Sequence, residues 1–326
     1  MRARASLATS LVAAAALAGC ARERPEERPF RLGFSPNVTH AQALVGVEDG
    51  TFARALGGRL ETRTFNAGPA AMEALFSGDL DASYVGPGPA IIAFLRSRGE
   101  ALRVVAGAAS GGAVLVVRDA TRPQDLAGKR VASPQLGNTQ DVALRTWLRA
   151  QGLAEGGRHG VEVTPLASSD ILSMFARAEL AGAWVPEPWG ARLVGEAGGT
   201  VLVDERDLWP GGRFPTTVLV VSTRALERRR PEVVALLRAH LELTRRWSRD
   251  PAAFAELANA AYGRYAGKPL RDGVLADAFS RLVPAAEPFR PQLEEMARRT
   301  QALGFAPAGD VSAIVDETLL PEVTRR

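Results

Sequence analysis

Cysteine is all but missing from this chain: among 326 residues only Cys20 carries a thiol. No disulfide framework and no thiolate metal site can be built from one cysteine. Histidine is nearly as scarce. His40, His159 and His240 lie far apart with no His-x-x-x-His pair, so no zinc site can be assembled from them. Lysine occurs only at Lys129 and Lys268, and no basic block is interleaved with aromatics, which argues against nucleic acid as a partner. The sequence also lacks a Gly-x-Ser-x-Gly elbow, a Walker-type Gly-Lys-Ser/Thr and a His-Glu-x-x-His pair. Its carboxylates suggest no paired general acid and base. Neither a cofactor nor a metal is expected, and the chain does not read as an enzyme.

Long apolar runs are lacking as well. The Ala/Leu-rich run Leu7–Gly19 follows Arg2 and Arg4 and falls short of the roughly 20 residues that span a bilayer. A basic start, a short apolar run and small residues at its end make an export signal. The run closes on Leu17-Ala18-Gly19-Cys20, which resembles the lipobox of bacterial lipoproteins. That resemblance implies cleavage after residue 19 and a lipid on Cys20, holding the protein on the extracytoplasmic side of a membrane. Residues 20–29, charged and Pro-containing with nothing to bury, read as a tether. Loss of residues 1–19 removes two arginines and no acid, leaving 38 basic against 36 acidic residues. The exported chain is thus close to neutral. Arg228-Arg229-Arg230, ahead of Pro231, reads as a solvated face.

From Phe30 onward strand and helix patterns alternate. Phe30–Phe34, Leu60–Phe65 and Ala82–Val85 read as strands, with helices over Ala41–Ala55, Ala70–Phe76 and from Ala90. Leu102–Ala106 and Ala113–Val117 are further strands. A second run begins near Lys129, with strands at Arg130–Ala132, Val161–Pro165, Gly182–Val185 and Thr200–Val203. Its helices are Gln140–Ala150, Asp170–Arg177 and Trp189–Gly195. Thr217–Val221 is β-rich, and from Pro231 the chain reads as helices. Such alternation predicts an α/β fold of open sheets with helices on both faces, and about 300 residues suffice for two cores. A helical tail after a late β segment implies that the chain leaves one domain, builds a second and returns. An internal echo supports this: residues 78–88 and 178–188 each run from an acid-Leu pair through a small-aromatic-Val strand to a Gly/Pro-rich turn. Ligands of open α/β sheets bind beyond the carboxyl ends of such strands, so two facing lips make a cleft.

The candidate contacts lie on those lips. Asn37, Thr39 and His40 follow the first strand as polar groups in a loop. Gly86, Pro87 and Gly88 lead into a helix whose N-terminus suits an anion; a tight structural turn is the alternative, but turns at this end of a sheet usually line the site. Ser110, Gly111 and Gly112 offer either a hinge or a nest of backbone donors. Asn138, Thr139 and Gln140 open a helix as capping residues and become a site if a cleft faces them. Glu187, between two prolines, either accepts from a ligand or compensates a helix start, and Trp189 either packs in a core or closes over a ligand.

Taken together, Thr39-His40-Ala41-Gln42-Ala43-Leu44, Phe65-Asn66-Ala67-Gly68-Pro69-Ala70 and Tyr84-Val85-Gly86-Pro87-Gly88-Pro89 resemble the substrate-binding proteins of ABC importers, in the nitrate/taurine/aliphatic-sulfonate branch. Ala106–Gly112 and Trp184-Val185-Pro186-Glu187-Pro188-Trp189 fit the same branch. The resemblance implies a two-lobed periplasmic-binding-protein-like fold of type II, with mixed sheets and a ligand clamped between lobes. The first lobe is expected over 30–117 and 213–326, the second over 118–212. It further implies a monomer that delivers a small anionic or zwitterionic ligand to an ABC permease. Contacts would come from the loops just named. Glu187 would disfavour nitrate and suit taurine, whose amine it could hold. Alternatives are a binder of a thiamine-type pyrimidine or other aromatic solute, a sensor feeding a membrane kinase, and a pyrimidine-synthase-like enzyme. The enzyme of that last kind carries a cysteine cluster that is missing here.

Overall fold

The computed structural model describes residues 28–157 and 159–325. The expected export segment, Cys20 and all of the expected tether but Arg28 and Pro29 lie outside the described residues. Eleven strands among these residues form two mixed sheets. The first sheet holds β1 (Phe30–Phe34), β2 (Leu60–Thr64), β3 (Ala82–Val85), β4 (Leu102–Gly111), β10 (Pro215–Ser222) and β11 (Leu282–Pro284). The second holds β5 (Ala113–Val117), β6 (Arg130–Ser133), β7 (Glu162–Pro165), β8 (Gly182–Pro186) and β9 (Thr200–Asp204). Helices α1 (Ala41–Glu48), α2 (Thr51–Ala55), α3 (Gly68–Ser77) and α4 (Pro87–Arg96) belong to the first lobe. The second lobe has α5 (Thr139–Ala150), α6 (Ser168–Ala176) and α7 (Trp189–Ala197). The returning chain adds α8 (Thr223–Arg228), α9 (Arg230–Arg249), α10 (Pro251–Ala266), α11 (Asp272–Ser280), α12 (Arg290–Ala302) and α13 (Leu319–Thr324).

The sheets repeat one plan. In the first the order is β11-β4-β10-β3-β1-β2, and in the second β7-β6-β8-β5-β9. Three parallel strands lie at one side of each, β2-β1-β3 and β7-β6-β8. The fourth place is taken by an antiparallel strand that has just crossed from the other lobe: β10 beside β3, and β5 beside β8. The echo at residues 78–88 and 178–188 therefore falls on β3 and β8, which hold the same place in their sheets. Ala113–Val117 was expected in the first lobe; its partners Gly182–Pro186 and Thr200–Asp204 put it in the second sheet. The first crossing is thus the Gly111-Gly112 pair, and the second is the segment between β9 and β10.

Both crossing strands are buried on both faces, as central strands must be. Val218 and Val220 face a core with Leu75, Ile91, Phe94 and Leu293, while Leu219 and Val221 face one with Phe30, Leu44, Leu237 and Trp247. In the second lobe Leu115 and Val117 pack on Trp147 and Trp184, and Val114 and Val116 on Ile171, Phe175 and Leu193. Each such side chain contributes roughly 1.5–3 kcal/mol by burial.

The first lobe also corrects one charge expectation. Arg229, expected in solvent, has a 2 % exposed side chain. It donates to Asp81 at 3.0 Å and to the carbonyls of Arg28 and Pro29 at 3.0 and 3.1 Å. Arg28 adds two hydrogen bonds to the same carboxylate, at 2.8 and 2.5 Å. The chain entering β1 is therefore stitched to the end of the sheet opposite the cleft. The expected helix Ala41–Ala55 is two helices, because Gly50 turns the chain at φ 74°. The helical return also contains a strand, β11, on the edge of the first sheet.

Candidate functional site

A cleft of about 530 Å³ lies between the lobes, rimmed by matching strand ends. From the first lobe come Ser35–Asn37, Thr39 and His40 beyond β1, Phe65–Gly68 beyond β2, and Gly86 and Pro89 beyond β3. From the second come Pro134, Gln135 and Asn138–Gln140 beyond β6, Ala167–Ser169 beyond β7, and Pro186, Trp189 and Arg192 at and beyond the end of β8. Tyr262 and Tyr265 on α10 close one side, and Thr216 of β10 another.

On the first lip Asn37 folds its own loop. Its Oδ1 accepts from the amide and the hydroxyl of Thr39 at 3.0 and 3.1 Å, so its remaining donors are the amide hydrogens. His40 is buried, and burial pushes its imidazole down from 6.5 to about 3. Its Nδ1 accepts from the amide of Ser35 at 3.2 Å, which places the proton on Nε2. His40 is thus a neutral donor. On the second lip Asn138 caps α5 by accepting from the Asp141 amide at 2.8 Å. Asp141 is buried and saturated by the Ser133 hydroxyl, the Gly137 amide and Arg145. The α5 start presents Thr139 and Gln140 to the cleft.

Arg192 supplies positive charge. It pairs with Glu196 at 3.1 Å and lies 4.7 Å from the ring centre of Trp189. It also faces Tyr262 from across the cleft, while burial keeps that phenol protonated beyond its ordinary range. Among the described residues no carboxylate lines the cleft, and Arg192 is its only charged side chain.

Of the residues expected from sequence, Asn37, Thr39, His40, Gly86, Asn138, Thr139, Gln140 and Trp189 line the cleft; Pro87, Gly88, Ser110, Gly111, Gly112 and Glu187 do not. Each exception has a physical reason. The backbone that Gly88 admits is that of α5: its amide donates to Thr139 Oγ1 at 3.0 Å, and a Cβ there would meet the Thr139 nitrogen at 2.9 Å. Pro87 begins α4 as a buried N-terminal residue. Ser110 accepts from the Phe214 amide, and the Gly111 carbonyl accepts from the Thr216 hydroxyl. Gly111 and Gly112 turn left-handed, at φ 75° and 72°, where the chain crosses between lobes. Glu187 is fully buried; it accepts from the Ala191 amide at 2.9 Å and from Arg281 at 3.0 Å. Burial nonetheless pushes its carboxyl up from 4.5 to about 7.

Sequence reasoning missed other lining residues. Phe65–Gly68 and Ala167–Ser169 obey the same strand-end rule and could have been found by it. Arg192, one helical turn beyond Trp189, shares its face of α7. Tyr262 and Tyr265 carry no local signal, since only the return of the chain brings α10 to the cleft.

Two mixed sheets of this order, facing across a cleft and joined by two crossings, are the architecture of a periplasmic binding protein. Over residues 23–262 the chain matches the model of the NMT1-like family, and it belongs to that family. It is 30 % identical over 193 residues to the taurine-binding periplasmic protein of Escherichia coli K12, a match covering 59 % of this chain and 58 % of that one. The matched stretch therefore spans little more than half of that relative's length. Among solved structures, the nitrate-binding protein NrtA of Synechocystis PCC 6803 superposes with a TM-score of 0.76 at 16 % identity, over 90 % of this chain and 88 % of that one. The alkanesulfonate-binding protein SsuA of Xanthomonas axonopodis pv. citri, bound to MOPS, gives 0.68 at 19 % identity, over 91 % and 98 %. These two likenesses concern the fold.

Proposed function

We propose that this protein is the extracytoplasmic solute-binding component of an ABC importer. It captures a small organic oxyanion by lobe closure, hands it to the permease and catalyses no reaction. The observation that carries this reading is the lining of the cleft: neutral donors from both lips, one arginine, and no carboxylate among the described residues. Such a site favours an anion with hydrogen-bond acceptors. The taurine-binding relative supports a sulfonate. Glu187 no longer bears on the choice, because it is buried away from the cleft. The objection to nitrate on grounds of repulsion falls with it, and so does the argument that an amine is needed. Volume takes their place: the cleft, about 530 Å³ before the lobes close, has room for an organic body on the oxyanion.

A second reading rests on a different observation. Phe65, Trp189, Tyr262 and Tyr265 all line the cleft, and the chain has only three tyrosines. An aromatic solute, a pyrimidine included, suits that wall. Anchoring through a lipid on Cys20 completes the proposal, keeping the binder beside its permease.

A thermal-shift panel of alkanesulfonates, taurine, nitrate, phosphonates and pyrimidines separates the readings. A ligand at 100 times its Kd adds about 2.7 kcal/mol to stability. Shifts with sulfonates support the first reading. Shifts with pyrimidines alone overturn it in favour of the second.

A further inference from the structure

Helix α7 carries both Trp189 and Arg192, the aromatic and the cation of the second lip. The start of that helix is held by Glu187, whose Oε2 accepts from the Ala191 amide at 2.9 Å. The Glu187 amide donates to the carbonyl of Gly112, on the first crossing, at 2.8 Å. Its other carboxylate oxygen accepts from Arg281 Nη1 at 3.0 Å. Arg281 belongs to the first lobe. It follows α11, pairs with Asp277 at 2.8 Å, and its Nε lies 3.8 Å from Asp204 at the end of β9. Arg206 pairs with that same Asp204 at 2.7 Å. The Arg281 carbonyl packs against Gly111 so closely that only a glycine fits there. One guanidinium, 13 % exposed, thus reaches from the first lobe to two carboxylates of the second, at the hinge.

We propose that Arg281 is a positioning residue for the solute cleft: through its pair with Glu187 it fixes α7 against the crossing and so sets the angle at which the lobes meet. It touches no solute. The proposal rests on the cleft being the solute site, as argued above, but its effect on lobe geometry does not need a solute. Buried Glu187 depends on this partner, since Asp277 is the other charged group facing it and is an acid. Asp204 and Arg206 reach it only through Arg281. Loss of the guanidinium leaves a buried carboxylate that takes up a proton, gives up its grip on α11 and keeps only its bond to the Ala191 amide.

The test measures the distance between spin labels on the two lobes in solute-free protein. Labels sit at Glu73→Cys on α3 and Asp170→Cys on α6, both exposed positions, in a Cys20→Ser background. Arg281→Met is expected to broaden and displace the distance distribution, and Arg281→Lys to restore part of it. Glu187→Gln, which keeps shape and removes charge, should match Arg281→Met and serves if that variant fails to fold. An unchanged distribution in a folded variant overturns the proposal, even if its melting temperature falls, because a merely structural pair would do that. Affinity for ethanesulfonate, measured alongside by calorimetry, should fall at least tenfold in Arg281→Met. If the unmutated protein binds no sulfonate yet the distances move, the oxyanion reading fails and the positioning role stands.

Discussion

His40 and His240 are both buried and neutral, pushed down from 6.5 to about 3 and about 4 by desolvation. His240 bridges the Tyr84 hydroxyl and the Gly107 carbonyl, at 2.8 Å each. A lowered folded pKa gives stability that is present above the unfolded value of 6.5 and lost as pH falls below it. Glu187 and Glu205 run the other way. Burial raises both from 4.5 to about 7, so their contribution is complete below 4.5 and lost as pH rises towards 7. Two protons taken up on each side nearly cancel between pH 4.5 and 6.5, which predicts a flat stability profile there and a steep fall below. In the double variant Glu187→Gln/Glu205→Gln the histidines act alone. Urea unfolding should then show stability dropping from pH 6.5 downward by about 2.7 kcal/mol per unit. A flat profile in that variant contradicts the neutral assignment of the histidines. For binding, His40 cannot titrate near neutrality, so any change in affinity between pH 5 and 8 should follow Glu187, falling on the acid side of about 7 where its charge is lost and disappearing in Glu187→Gln. Arg192→Met should weaken an anionic ligand by roughly 1.5–3 kcal/mol, the worth of charge-assisted hydrogen bonds, with little change in melting temperature.

Among the elements, β3 leading into α4 and β8 leading into α7 show how far sequence could go. Their apolar runs and Gly/Pro turns gave strand, turn and helix correctly, because hydrophobic periodicity and backbone chemistry act locally. What the turns face is not local. Gly88 reads alike whether a ligand or another helix approaches it, and here the neighbour is Thr139. Gly88→Ala should therefore leave the first lobe folded but hold the lobes apart. Calorimetry should show weaker solute affinity, and X-ray scattering a larger radius of gyration; unchanged affinity would show that the α4–α5 contact does not govern closure. The Arg28–Asp81–Arg229 clasp makes the same point for charge, since nothing local marks Arg229 as the buried member of an arginine triplet. Asp81→Ala leaves Arg229 buried with Glu232, at 3.1 Å, as its remaining carboxylate, a loss of about 1.5–3 kcal/mol for the charged hydrogen bond removed. Urea unfolding at pH 7 measures it, and a loss under 1 kcal/mol would mean that Arg229 finds water instead.

For the whole molecule, the echo one hundred residues apart disclosed two related lobes, and the strand-end rule disclosed that they face each other. The exact crossing was not legible. Ala113–Val117 is an apolar strand that either sheet could accept, and only its pairing with β8 and β9 assigns it to the second. Glu187 reads equally as a ligand contact or a helix start for a related reason: a carboxylate beside two prolines at a lip looks available until the return of the chain brings Arg281 to it. The same return brings Tyr262 and Tyr265, which give the cleft its aromatic wall. Calorimetric titration of the purified protein with alkanesulfonates is the most direct test of an oxyanion held between the lips. A saturable, one-to-one complex that Arg192→Met weakens at least tenfold is the predicted result. No binding of any sulfonate, or binding indifferent to Arg192, would contradict it.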